Sequence, residues 1–203
     1  SKNKVYLKPK RSIMTKIIQK MGLISLAFLP VMAMAHPGHD QTHTGFMAGF
    51  IHPFTGLDHM MMALALGVLL SSVAKQWKAI GFIAIATALV VGFVIGAQHF
   101  IPEQYAEYGI ILSLLVVATA LWKKSTRILP IATAMLVTFH GVAHGAELGH
   151  SGHVATLILG MIVAMSMIYF IGLTLGVFIK KYVPHGQKIV ASIAAIVAVI
   201  GLV

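Results

Sequence analysis

Two short stretches of this chain combine imidazoles and carboxylates inside otherwise apolar sequence. The first reads His52-Pro53-Phe54-Thr55-Gly56-Leu57-Asp58-His59, the second His140-Gly141-Val142-Ala143-His144-Gly145-Ala146-Glu147. Imidazoles with carboxylates and no thiolate form a borderline-to-hard ligand set, suited to a divalent transition metal. Ionisable groups at membrane depth are costly, so they normally mark an ion or substrate path. The chemistry to expect is the handling of a metal ion within a membrane.

Spacing sharpens this expectation. His140 and His144 are four apart and Glu147 follows three later, so on a helix all three share one face. The arrangement is close to the His-Glu-x-x-His logic of two imidazoles sharing a metal, with the carboxylate moved downstream. Gly141 and Gly145 leave an adjacent face bare, open to close approach by another helix. In the first stretch, Pro53 and Gly56 are expected to break the helix just before Asp58 and His59. Broken helices at membrane depth occur where backbone faces protein or a water-filled cavity, often a binding site. Asp58 and His59 are consecutive and would diverge on a regular helix. The expected co-ligands are therefore His52 with Asp58, or His59 with a partner on the helix of the second stretch. Met60, Met61 and Met62 follow; three successive thioethers face different directions, and most read as packing residues.

The elements that must position these groups are apolar helices. Apolar residues make up 58% of the 203-residue chain and charged residues only 10%, far below the roughly 25% charged of soluble domains. Mean hydropathy is +0.90. The formal charge of +10 is not a nucleic-acid signal, because the basic residues gather at the amino terminus and in short clusters between apolar runs, a membrane-orientation pattern and not a binding face. No cysteine is present, which excludes disulfides and thiolate metal sites.

Seven of the fifteen basic residues fall in the first twenty positions. They precede the apolar run Met21–Met34, and Ala33-Met34-Ala35 supplies a small-residue cleavage site. Residues 1–35 thus read as a signal peptide with a basic leader, cleaved after Ala35, and residues 36–44 as an external tail carrying His36, His39 and His43. Six apolar stretches follow within 45–203, at about 45–73, 79–99, 107–122, 128–148, 154–179 and 189–203. Each is near the ~20 residues a spanning helix needs. The expected fold is an all-α membrane protein of six transmembrane helices, the first broken at Pro53/Gly56.

The connections orient it. Lys75 and Lys78, then Lys123, Lys124 and Arg127, then Lys180, Lys181 and Lys188 occupy alternate links, while Phe100–Ala106 and Gly149–His153 contain no Lys or Arg. The positive-inside rule places the mature amino terminus outside. Ten of the eleven histidines then fall on the outer side; His185 alone is internal.

His-Pro-x-x-Gly-x-Asp-His near the start of the first span, and Phe139-His140-Gly141-x-Ala143-His144-Gly145-x-Glu147 in the fourth, resemble the HupE/UreJ permeases. These are hydrogenase and urease accessory proteins of the bacterial inner membrane that import nickel, in some members cobalt. His36-Pro37-Gly38-His39 after the cleavage site is similar to the same family. The resemblance implies an inward route for Ni²⁺ or Co²⁺ carried by His52, Asp58, His59, His140, His144 and Glu147, with His36 and His39 able to capture metal outside. The ion is cargo, not a prosthetic group, and the expected partners are that ion and the lipid bilayer. Copper or zinc is the alternative substrate, since affinity order alone does not exclude copper at histidines. The competing class is an intramembrane zinc-dependent hydrolase, which would hold Zn²⁺ by three side chains beside a carboxylate base. No nucleotide-binding loop is present in the sequence to drive transport.

Overall fold

The computed structural model describes residues 45–124, 128–150 and 152–201. The regular structure there is entirely α-helical: α1 (Phe46–Thr55), α2 (Leu57–Leu70), α3 (Lys75–Ala97), α4 (Glu103–Lys123), α5 (Ile128–Leu148), α6 (Val154–Tyr182) and α7 (Gly186–Ile200). The expected signal peptide and the tail with His36, His39 and His43 lie outside the described residues. Among those described, α3, α4 and α6 are long and apolar enough to cross a membrane, and α1 with α2 adds a fourth if the bent pair is one span. α5 has 21 residues and α7 only 15.

α2 is the centre of the bundle. Beyond Asp58 and His59 its sequence, Met-Met-Met-Ala-Leu-Ala-Leu-Gly-Val-Leu-Leu, has no polar face. A helix apolar all round can be buried on every side. Met62, Ala63, Ala65, Leu66 and Val68 are fully inaccessible, and α3, α4, α5, α6 and α7 all touch the helix. Met61 and Met62 are core residues, and Met60 packs against that core. The outer faces instead display Ile83, Val94, Phe170 and Val177, apolar surface that suits lipid.

Lipid tails are as apolar as leucine, so helices associate there by close packing and not by expulsion from water. Small residues provide that closeness along two seams. Between α3 and α5, a Cβ on Gly141 would stand 2.9 Å from the Gly92 Cα, and one on Gly145 would stand 2.8 Å from the Ala97 nitrogen. Between α2 and α6, a Cβ on Gly67 would lie 2.8 Å from the Gly172 Cα. The bare Gly141/Gly145 face is thus taken up by α3.

In both seams the contacting residue numbers rise together, Gly92 with Gly141 and Ala97 with Gly149, Gly67 with Gly172 and Ser71 with Gly176. Each seam therefore joins parallel helices. α7 runs against α4, with Lys188 Nζ 5.0 Å from the Trp122 ring and Gly201 near Ile111. Consecutive helices from α2 onward alternate in direction. The lysine-bearing links gather at one end, and the α3–α4 and α5–α6 links at the other.

Gly145→Val should force the α3–α5 backbones apart and cost roughly 1–3 kcal/mol or more, the range for overpacking. Gly152→Ala, where an added Cβ meets nothing within 4 Å, should leave stability unchanged. Thermal unfolding of the two purified variants in detergent checks the contrast.

Candidate metal centre

The site begins where α1 gives way to α2. α1 runs through Pro53 and stops at Thr55; Gly56 is extended, with φ −95° and ψ 116°, and the two helices meet at 82°. The interruption thus falls at Gly56, while Pro53 stays inside α1. Proline there removes one N–H near the end of a short helix, a loss of a single hydrogen bond. Helical order resumes with Met60 N–H donating to the Gly56 carbonyl at 3.1 Å.

At this turn Asp58 and His59 do not diverge. Their side chains fold back together, with His59 Nδ1 2.7 Å from Asp58 Oδ1. The expectation that neighbours must separate assumed helix on both sides. Gly56 makes the exception possible, because a Cβ on it would lie 2.6 Å from His59 Nδ1 and 2.9 Å from Asp58 Oδ1. The absent side chain is the space these two ligand groups occupy.

α5 supplies the facing half. His140 and His144 project from one face, one turn apart, toward the α1–α2 break. The His59 ring centroid lies 4.8 Å from that of His140 and 4.5 Å from that of His144. His52, on α1, reaches the same place: its Nε2 is 2.9 Å from His144 Nδ1, and its ring centroid is 6.0 Å from that of His59. Two triads result. Ligand atoms of His52, His144 and Glu147 lie within 4.8 Å of one another, as do those of Asp58, His59 and His140. All six residues of the two sequence motifs therefore converge on one region. His36 and His39 lie outside the described residues.

Burial leaves these imidazoles with unused chemistry. His140 is fully buried, His144 is 3% exposed and His59 is 9% exposed. His59 Nε2, both ring nitrogens of His140 and His144 Nε2 are buried without a hydrogen-bond partner among the described residues. Buried polar atoms are rarely left unpaired, since each carries the full cost of desolvation. A cation accepting their lone pairs would remove that cost. Asp58 also matches the outer partner of a metal-bound imidazole: by accepting Nδ1–H of His59 it leaves Nε2 deprotonated and free to coordinate.

A cavity of about 200 Å³ opens onto the first triad, its wall including His52, His59, His144, Glu147 and, from α4, Glu107. At ~30 Å³ per liquid water, this holds several waters, enough for an ion with part of its hydration shell. His140 is not part of this wall, so the first triad lines the cavity with all three of its residues and the second with His59 alone. Glu107 belongs to no histidine motif and was not among the residues singled out from sequence. The signal that could have found it is positional. It stands near the start of an apolar helix, at the end of the bundle where the histidines gather, and is one of five carboxylates in the chain.

The family model described as HupE / UreJ protein matches residues 24–203. Protein HupE of Rhizobium leguminosarum bv. viciae is 27% identical over 177 residues, covering 85% of this chain and 90% of that protein. No solved structure matches the chain. Because the match takes in both histidine motifs and every described helix, the chain belongs to the HupE/UreJ family.

Proposed function

We propose that this chain is a permease importing a divalent transition-metal ion, nickel or cobalt, across the bacterial inner membrane. The observation that carries the reading is the pair of ligand triads, running from a cavity wall to a fully buried histidine. Membership of a family of hydrogenase and urease accessory proteins supports nickel over copper or zinc. An ion entering the cavity exchanges water for His52, His144 and Glu147, then passes to His59 and His140, with Asp58 compensating its charge. Conduction needs binding that is weak enough to release, and two neighbouring partial sites meet that need better than one closed cage. A hydrolase would instead hold one metal permanently by three ligands beside an activated water. The chained arrangement favours passage, so the chain is not read as an enzyme.

The proposed topology has six spans, with the bent pair α1/α2 as the first and α5 and the short α7 included. A span shorter than the bilayer is accommodated by local thinning. The lysine-bearing links face the cytoplasm, and the end carrying the centre faces outward. A signal peptide cleaved after Ala35 would leave His36 and His39 on an external tail. Inside-negative potential favours a doubly charged ion by about 4.6 kcal/mol per 100 mV, from roughly 2.3 per charge. Facilitated diffusion with trapping inside then suffices to drive import.

Uptake of radioactive nickel into cells, competed by cobalt, zinc and copper, tests the reading. Asp58→Asn and His144→Ala should each nearly abolish uptake while membrane insertion is retained; normal uptake by both would refute the proposed path. Gly56→Ala keeps an allowed backbone but displaces Asp58 and His59, and uptake should fall at least tenfold with little change in melting temperature. In a correctly processed His36→Ala/His39→Ala variant, the half-saturating nickel concentration should rise with a nearly normal maximal rate.

A further inference from the structure

Two histidines that take no part in the buried centre meet at the same end of the bundle. His99 lies just beyond α3 and His150 just beyond α5. Their rings stack with centroids 5.5 Å apart and planes 14° from parallel, and both residues are exposed. We propose that His99 and His150 form a second, solvent-facing site for a divalent transition-metal ion, at the mouth of the route to the buried triads. Its binding of metal stands by itself; its use in capture rests on the import reading above.

The juxtaposition is built into the fold. The α3–α5 seam continues to the last residues of both helices: a Cβ on Gly96 would lie 2.9 Å from the Ala146 nitrogen, and one on Gly149 would lie 2.9 Å from the Ala97 Cα. His150 follows Gly149 directly and His99 stands two residues beyond Ala97, so both rings emerge where the backbones are still in contact. His99 takes the left-handed conformation, φ 54°, and its N–H donates to the Gly96 carbonyl at 2.8 Å. The backbone that carries its ring is thereby fixed as well. Two imidazoles held side by side need little further ordering to share an ion.

The chemistry of the surroundings agrees. Imidazole suits nickel, copper and zinc. No lysine or arginine occurs in Phe100–Ala106 or Gly149–His153, so no fixed cation from either link opposes a metal there. His150 also follows His144 by six residues on the same strand of chain, roughly 9 Å along a helical rise. Two ligands with water completing the shell make an open site that releases its ion readily, as a position preceding a conduction path must.

The experiment is equilibrium dialysis of the purified full chain in detergent against ⁶³Ni²⁺, counting ions bound per chain. His99→Asn/His150→Asn is the test variant, since asparagine tolerates the left-handed conformation and both positions are exposed. It should bind one ion fewer than the parent, with an unchanged melting temperature. Each single variant should show the same loss, because one imidazole in water does not hold the ion. In vesicles the double variant should need several-fold more nickel for half-maximal uptake, with a maximal rate within twofold of the parent. An unchanged count of bound ions in the double variant overturns the proposal. If the parent binds the extra ion yet transports none, the site stands and the import reading falls.

Discussion

Buried imidazole without a hydrogen-bond partner is the constraint around which this molecule is arranged. Four ring nitrogens of His59, His140 and His144 are enclosed in an apolar bundle with nothing to bond to among the described residues. Backbone committed to helices offers such groups no partner, and each unpaired one carries a desolvation cost. Two side chains cover part of the need, Asp58 at His59 Nδ1 and His52 at His144 Nδ1. The remaining lone pairs would be relieved by an electrophile from outside the chain, and the borderline ligand set suits the transition-metal ion proposed above.

Everything near the site serves that convergence. α2 is apolar on all faces and therefore central, which brings its polar first turn, Asp58 and His59, against α5. Gly56 lets the chain turn by 82° and leaves space for both side chains to fold back. The seams are the counterpart at larger scale: Gly92, Gly96, Gly141 and Gly145 clamp α3 to α5, while Gly67 and Gly172 clamp α2 to α6. Side-chain bulk at these positions would separate the helices and the ligands with them.

Exposure varies within both triads, and Asp58 is intermediate as His52 is. Glu107 and Glu147 are exposed, His52 is intermediate, His144 nearly buried and His140 wholly so. Carboxylates, which attract a hydrated cation at long range, stand where water remains. The imidazoles of His140 and His144 are nearly or wholly enclosed, and that of His52 is partly exposed. The parallel pairing of α3 with α5 also brings His99 and His150 together just beyond both helices.

The helical class, the membrane setting and the six motif residues were legible in the sequence, because each rests on local pattern. Apolar length, alternating lysine-bearing links and i,i+4 histidine spacing survive without knowledge of the fold. The third apolar stretch was read from residue 107, yet α4 begins at Glu103, since a polar first turn carries no hydropathy signal. Asp58 and His59 were expected to diverge, and the break at Gly56 joined them. Glu107 left only a positional signal and the His99–His150 stack none, because each meets its partners across more than thirty residues of chain. Sequence by itself determined which groups could ligate and that they lie in apolar helices. Only the tertiary structure decided their division into two triads, because which ligand groups meet depends on how closely glycine lets the helices approach.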